Sequence, residues 1–180
     1  MRRCGKSYLL FEIFASYLEQ NGVDTDHIIK VDLEDYKSRA LRNPDNLYAY
    51  VESRMCGDAM HYILIDEVQM LNDFEDVLNG FLKMRNTDIY VTGSNAKFLS
   101  KDIITEFRGR GFEVKMYPLS FSEFMSAYPG SMQAGLKEYM LYGGLPQILS
   151  YKSEEQKVRY LKSLFDETYI KDIKEQHRSG

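Results

Sequence analysis

The chain has 180 residues, of which 44% are hydrophobic and 28% charged, and it carries a formal net charge of −4. This composition predicts a soluble globular protein of one or two domains, and the negative charge argues against a general polyanion-binding surface. No apolar run approaches the roughly 20 residues that a membrane-spanning helix needs. Cys4 and Cys56 are isolated in the sequence and form neither a disulfide framework nor a metal-ligand spacing, which favours a reducing, cytoplasmic location.

The first residues resemble part of a phosphate-binding loop. Residues 1–7, M-R-R-C-G-K-S, read as the end of the pattern G-x-x-x-x-G-K-[ST]. In such a loop the backbone N–H groups surround the phosphates, the lysine reaches the β and γ oxygens, and the Ser/Thr hydroxyl ligates Mg²⁺. From Ser7 to Leu18 apolar residues recur at helical spacing, and the N-terminus of a helix favours a bound anion. The alternative is a short basic leader, capped by Ser7, on an ordinary amphipathic helix.

The elements that follow alternate between strand and helix patterns as far as Pro118. Strands are predicted at 27–33, 62–65, 88–92 and 112–117, and helices at 43–56, 73–85 and 96–107. Beyond Pro118 only helices are predicted, at 121–127, 136–141 and 154–176. This order predicts an α/β fold of the P-loop NTPase type, in which helices flank a mostly parallel sheet. We expect this core to span 1–118 and a small helical domain to span 119–180.

Two carboxylates follow the continuous apolar strand at 62–65. Asp66 and Glu67 would lie at the carboxyl end of a parallel sheet, where ligands of open α/β folds bind. Asp66 would hold Mg²⁺ through its water shell, because a hard cation prefers oxygen ligands. Glu67 would orient and polarise the water that attacks the γ-phosphoryl group. The alternative is a strand that ends in two acids as it reaches solvent.

Two further segments could complete such a site. Ser94 or Asn95, after the strand at 88–92, could contact the attacking water or the γ-phosphate, although a common turn with a helix N-cap would read the same. Arg108 and Arg110 flank a glycine, and Arg110 is the better candidate to stabilise transition-state charge, in cis or across a subunit interface. The alternative is a pair of solvated loop arginines.

The order of these motifs resembles the AAA+ ATPases, and within them a poorly characterised bacterial and archaeal group of AAA-type ATPases. The matching motifs are R-R-x-G-K-S at 2–7, D-E-x-Q at 66–69, T-G-S-N at 92–95, P-L-S-F-x-E-F at 118–124 and Y-G-G-L-P at 142–146. The resemblance implies Mg-dependent binding and hydrolysis of ATP, with the helices after Pro118 acting as a lid. The implied nucleotide-binding residues are Arg3, Cys4, Gly5, Lys6, Ser7 and Tyr8. Ser7 and Asp66 would serve the metal, and the catalytic roles would fall to Glu67, Arg110, Asn95 and Ser94.

Relative to that group, the chain lacks a first strand and the first loop glycine and stops before a further C-terminal domain. We therefore expect a fragment whose missing strand would lie between those at 89–91 and 112–116. Its loss would weaken nucleotide binding and leave sheet edges open to self-association. The expected partners are a nucleotide and an unidentified protein, with no membrane and no sign of nucleic-acid binding. Two alternatives stay open: a non-catalytic interaction module that retains the fold, and a nucleotide-driven DNA- or toxin-related switch.

Overall fold

The computed structural model describes residues 3–93, 107 and 109–176, with side chains as far as Glu167. The chain divides into two compact units, Lys6–Val114 on the one hand and Lys115–Gly180 with Met1–Gly5 on the other. Each unit is described by itself below. The domain bounds 1–118 and 119–180 stay a prediction.

A parallel sheet of three strands forms the centre of the first unit. Its strands are β1 (Ile28–Asp32), β2 (His61–Asp66) and β3 (Thr87–Val91), in the order β1-β2-β3. The register pairs Asp32 with Asp66 and Ile65 with Val91, so the carboxyl ends of all three strands lie at the same edge. The predicted α/β fold with a parallel sheet is confirmed.

Helices cover both faces of this sheet. Helix α1 spans Lys6–Tyr8, Leu9–Phe14 and Ala15–Gln20, whereas α2 is Pro44–Arg54 and α3 is Phe74–Phe81. Leu64 of β2 packs with α1 on one face, and its neighbours Ile63 and Ile65 pack with α2 and α3 on the other. The alternation follows from strand geometry, in which successive side chains point to opposite faces. Burial on both sides therefore explains the continuous apolar run at 62–65 within β2.

Helix α1 forms as predicted, but it does not bury all the apolar residues that recur at helical spacing in its sequence. The central segment Leu9–Phe14 is π-helical, and the buried residues of the helix are Leu10, Ala15 and Leu18. Leu10 and Ala15 are five positions apart, the hydrogen-bond spacing of a π-helix rather than of an α-helix. The wider turn leaves Ile13 and Tyr17 exposed, although the 3.6-residue period places both on the apolar face.

Helix α3 is shorter than the predicted helix at 73–85. It ends at Phe81, where the Thr87 hydroxyl donates to the carbonyl oxygens of Phe81 at 3.0 Å and Met84 at 3.1 Å. The Phe81 carbonyl also accepts from Met84 N–H at 3.0 Å, so carbonyl groups at the end of the helix are satisfied by the turn that follows it. Asn86, in the left-handed conformation at φ 57°, then turns the chain into β3.

The predicted strand at 112–117 is wrong. Among the described residues no strand pairs with this segment, and Phe112, Val114 and Tyr117 are 93%, 71% and 71% exposed. Alternating apolar residues favour an extended backbone, but a strand also needs a neighbour to accept and donate its backbone hydrogen bonds. The predicted helix at 96–107 lies outside the described residues except for Phe107.

The second unit is built from helices, as predicted. They are α4 (Phe121–Ala127), α5 (Met132–Tyr142) and α6 (Glu154–Gln176). Helix α4 begins with a capping box, in which Glu123 N–H donates to Ser120 Oγ at 3.3 Å and Ser120 N–H donates to Glu123 Oε2 at 2.7 Å. The Ser120 hydroxyl and amide both hold the pKa of Glu123 below its usual range. Within the described part of the chain, no helix has the length and apolar character needed to cross a membrane.

Two of the sequence motifs pack against each other in this unit. Leu119 N–H donates to the Gly144 carbonyl at 2.7 Å, and the Tyr139 hydroxyl donates to the Leu119 carbonyl at 2.8 Å. A Cβ on Gly144 would lie 2.0 Å from that Leu119 oxygen. The motifs P-L-S-F-x-E-F and Y-G-G-L-P are therefore in direct contact within the helical unit.

Candidate functional site

The best-defined polar arrangement joins the ends of β2 and β3. Asp66 is the last residue of β2 and is only 2% exposed. Thr92 follows β3 and continues its register by one step, with its N–H donating to the Ile65 carbonyl at 2.9 Å. Its hydroxyl donates to Asp66 Oδ1. A buried carboxylate is thus held by a neutral donor at the carboxyl edge of the sheet, where ligands of this fold class bind.

Glu67 turns the chain sharply away from the sheet. It adopts the left-handed conformation at φ 52° and ψ 48°, which is uncommon for a residue with a side chain. The turn is fixed by Thr92, whose hydroxyl accepts from Glu67 N–H at 3.3 Å and whose carbonyl accepts from Val68 N–H at 2.9 Å. The Thr92 hydroxyl therefore contacts both predicted acidic residues, donating to Asp66 and accepting from Glu67.

Gln69 holds the side chain of Glu67. Its amide nitrogen donates to Glu67 Oε2, and its own Oε1 is buried without a hydrogen-bond partner among the described residues. Buried polar atoms are normally paired, so an unpaired one at this position is consistent with a donor that arrives with a ligand or water. From the sequence alone, Gln69 and Thr92 are only members of the motifs D-E-x-Q and T-G-S-N, and neither is predicted to have a role of its own. The register of β2 and β3 is the signal that places Thr92 opposite Asp66.

Asp32, at the same edge, has a different role. Its Oδ1 accepts from the backbone N–H groups of Glu34 at 2.8 Å and Asp35 at 3.2 Å, which stabilises the turn after β1. This is an Asx turn, a common structural use of aspartate. Of the two carboxylates in register, Asp66 is therefore the better candidate to serve a ligand.

The residues of the candidate phosphate-binding loop fall in both compact units. Lys6 and Ser7 start helix α1 in the first unit, followed by the exposed Tyr8. In the second unit, Cys4 is buried and Gly5 has φ 94°, a conformation that strains any residue with a side chain. The glycine of the motif is thus required by the backbone itself.

Arg3 belongs to the second unit and contacts helix α6. Its Nη2 lies 2.9 Å from Glu167 Oε2, and its guanidinium carbon lies 5.5 Å from the centre of the Tyr160 ring. Both members of the ion pair are close to half exposed, so the pair contributes little to stability. The side chain is engaged with α6 in this structure, and its predicted contact with nucleotide stays a prediction.

The remaining predicted residues are only partly described. Arg110 donates from Nη1 to Asn79 Oδ1 of α3 at 3.0 Å, and its backbone N–H donates to the Phe107 carbonyl at 2.9 Å. The exposed guanidinium is therefore carried on the loop beside α3. Ser94 and Asn95 lie outside the described residues.

The donors at this edge of the sheet suit a hard cation. Asp66 supplies a carboxylate with about four lone-pair positions, of which Thr92 uses one. Ser7 can supply a hydroxyl oxygen, and Mg²⁺ takes oxygen ligands and keeps several of its waters. The oxygen atoms of Asp66 therefore fit the predicted metal, whereas the roles of Ser7 at the metal and of Lys6 at the phosphates stay predictions.

Comparison with known proteins places the chain in a family. Residues 1–125 match the model of a family described as an AAA domain. The chain is similar to an uncharacterised protein of Haemophilus influenzae, at 34% identity over 186 residues, and to one of Methanocaldococcus jannaschii, at 26% over 189 residues. These alignments cover 100% and 98% of this chain but only 46% and 41% of the relatives, so it spans less than half of their length. No solved structure matches the chain.

The family match agrees with the fold and with the motifs described above. It covers the sheet, the flanking helices and the residues Asp66, Glu67 and Thr92. The predicted resemblance to AAA-type ATPases is thereby confirmed at the level of the family. The family match extends over more than half of the chain. The chain therefore belongs to the AAA domain family, whose members are nucleotide-binding domains of the ATPase type.

Proposed function

We propose that the chain binds ATP and Mg²⁺ and that the whole protein, of which it supplies the nucleotide-binding residues, catalyses ATP hydrolysis that drives a conformational change. The observation that carries the proposal is the arrangement of Asp66, Glu67 and Thr92. The Thr92 hydroxyl donates to the buried carboxylate of Asp66 and accepts from the backbone N–H of Glu67, which fixes the turn at Glu67. A scaffold has no evident need for a buried acid at the ligand-binding edge of its sheet, because burying a charge is costly. Membership of the AAA domain family supports the same function.

Each residue has a defined task in this proposal. Lys6 and Ser7 bind the phosphates and the metal, and Asp66 holds the water shell of the metal. Bound Mg²⁺ supplies charge neutralisation at the phosphate oxygens. Glu67 orients a water for in-line attack on the γ-phosphorus and accepts its proton as the bond to ADP breaks.

Other residues would support that step. Gln69 keeps the Glu67 carboxylate in position, as its hydrogen bond to Oε2 suggests. Ser94 or Asn95 contacts the γ-phosphate or the water, and Arg110 stabilises the charge that develops on the transferred group. Arg3, Cys4, Gly5 and Tyr8 complete the phosphate-binding loop.

The test is to replace Glu67 in the whole protein and to measure hydrolysis and nucleotide binding separately. Glu67→Gln is expected to lower kcat by about 100-fold or more, since general-base catalysis contributes about 10²–10⁴. It should leave ATP binding within about twofold of the wild type, whereas Lys6→Ala should weaken binding itself. The matched control is Glu52→Gln, on the exposed surface of α2.

The alternative function is a non-catalytic interaction module. It would be supported if wild-type protein binds no nucleotide, or if Glu67→Gln hydrolyses ATP as fast as the Glu52→Gln control. Both results would contradict the proposed ATPase. The ATPase would be supported if the wild type binds nucleotide and hydrolyses it slowly, and if Glu67→Gln abolishes that hydrolysis.

Self-association is a second part of the proposal. Among the described residues the outer edge of β3 has no strand partner, and Phe112 and Val114 are largely exposed. An open strand edge is a template for pairing with another chain. We expect sedimentation velocity to show association that increases with protein concentration, and a single monomeric species at all concentrations would contradict this.

A further inference from the structure

Three side chains that commonly bind metals meet at the amino end of the sheet. His27 precedes β1, Cys56 lies between α2 and β2, and His61 is the first residue of β2. Cys56 Sγ lies 3.8 Å from His27 Nε2 and 3.9 Å from His61 Nε2, and the ligand atoms of all three lie within 4.8 Å of one another. The sequence shows no metal-ligand spacing around Cys56, because the two histidines that lie beside it come from separate segments of the chain.

The distances are close to those of a tetrahedral zinc site. With Zn–S at about 2.3 Å and Zn–N at about 2.0–2.1 Å, tetrahedral angles place sulfur and nitrogen about 3.6 Å apart. Both observed S···N distances exceed this value by only a few tenths of an ångström. Two imidazoles and a thiolate also suit Zn²⁺ far better than Mg²⁺, which takes oxygen ligands.

The orientation of His61 favours ligation through Nε2. The backbone N–H of Cys56 donates to this nitrogen at 3.0 Å, so Nε2 is an acceptor that carries a lone pair. His61 is 0% exposed, and its Nδ1 has no hydrogen-bond partner among the described residues. The Nε2 lone pair therefore faces Cys56, and an unprotonated ring nitrogen is what binds a metal. Ligation would replace the contact with the Cys56 amide.

The burial of the three residues provides both a rigid base and an entry path. His61 is fully buried in the sheet, His27 is partly buried and Cys56 is exposed. The rings of His27 and His61 are in edge-to-face contact with their centres 4.7 Å apart, which limits how far either ring can rotate away. A metal ion can reach the cluster from the side of Cys56.

We propose that His27, Cys56 and His61 form a binding site for Zn²⁺, with a water or a further ligand in the fourth position. The ion binds as the Cys56 thiol releases its proton to solvent and becomes a thiolate. The site joins the start of β1, the start of β2 and the connection after α2. It is separate from the proposed nucleotide site, because His61 and Asp66 stand at opposite ends of β2, about 16 Å apart at 3.3 Å per residue.

The proposal is tested by direct zinc binding to the purified protein. Metal-free protein, kept reduced, is dialysed against Zn²⁺ in the presence of excess Mg²⁺ and without nucleotide, and the bound zinc is measured. One Zn²⁺ per chain is expected. His27→Gln and Cys56→Ser should each weaken binding by at least about tenfold, because losing a partner that merely orients a ligand already costs about 10- to 100-fold.

The chain offers matched controls for both residue types. His177→Gln and Cys4→Ser remove its remaining histidine and its remaining cysteine, and both should bind Zn²⁺ as the wild type does. Cobalt provides a second measurement, since Co²⁺ bound to the wild type should show a thiolate-to-metal charge-transfer band that Cys56→Ser lacks. Zn²⁺ should also raise the melting temperature of the wild type but not of Cys56→Ser.

Two results would overturn the proposal. One is the absence of stoichiometric zinc binding by the wild type, and the other is equal binding by the wild type and Cys56→Ser. Circular dichroism of each variant identifies any variant that fails to fold. In that case the cobalt spectrum of the wild type decides whether the thiolate binds the metal, and the absence of its charge-transfer band would contradict the proposal. None of these measurements uses ATP, so the result does not depend on the proposed ATPase function.

Discussion

The Thr92 hydroxyl donates a hydrogen bond to the carboxylate of Asp66 and accepts one from the backbone N–H of Glu67. Thr92→Val keeps the shape of the side chain but removes both bonds, and it leaves the buried Asp66 without this donor. We expect a loss of about 1–3 kcal/mol in the free energy of unfolding, measured by urea denaturation, because an unsatisfied buried polar group costs about that much. Thr92→Ser keeps the hydroxyl and should retain most of the stability. Equal stability of Thr92→Val and wild type would show that this link is unimportant.

Gln69 is expected to act on Glu67 rather than on the nucleotide. Gln69→Ala removes the donor to Glu67 Oε2, so the carboxylate should no longer be held in one position. We expect kcat for ATP hydrolysis to fall by about 10- to 100-fold, since small misplacements of a reacting group have effects up to that size. The dissociation constant for ATP should stay unchanged, and the exposed Gln20→Ala provides the control. A rise in that constant with unchanged kcat would show that Gln69 contacts the nucleotide instead.

Much of the fold could be predicted from local patterns. A continuous apolar run predicts the strand β2, because such a run marks a strand buried on both faces, and the structure buries Ile63, Leu64 and Ile65 completely. Asp66 and Glu67 became candidates because they follow that strand directly. Such features depend only on neighbouring residues, which is why the sequence alone reveals them.

Features that depend on distant residues could not be predicted in this way. The bond between Thr92 and Asp66 requires the register of two strands, and the cluster around Cys56 requires three segments to meet. The segment 112–117 shows the opposite error, since its alternating pattern is local but a strand also needs a partner. The π-helical segment of α1 changes which of its residues are buried, and a prediction based on 3.6 residues per turn cannot anticipate this wider turn.

Gly144 should be essential to the helical unit. A methyl group on this residue would lie 2.0 Å from the Leu119 carbonyl oxygen and 2.9 Å from the Tyr139 ring, so the backbone must move to accept it. We expect Gly144→Ala to lower the free energy of unfolding by about 1–3 kcal/mol or more, the usual cost of overpacking. Gly111→Ala is the matched control, because a Cβ there would meet no described atom within 4 Å. Equal melting temperatures of the two variants would contradict the close contact.

Tyr90 should make the stability of the protein depend on alkaline pH. Burial, followed by the 2.8 Å hydrogen bond that its hydroxyl donates to Asp88, raises the pKa of Tyr90 from 10.0 to about 12. Because the folded state binds this proton more tightly than the unfolded state, the stabilising contribution is complete below pH 10 and is lost as the pH rises toward 12. Urea unfolding between pH 9 and about 12 should therefore show a steeper loss of stability in the wild type than in Tyr90→Phe. Asp88→Asn should lower the pKa of Tyr90. Subtracting the absorbance of the double mutant with Tyr90→Phe from that of Asp88→Asn isolates the Tyr90 phenolate, whose absorbance should then rise at a lower pH. If the wild type and Tyr90→Phe lose stability in parallel, the tyrosine is not the group that titrates.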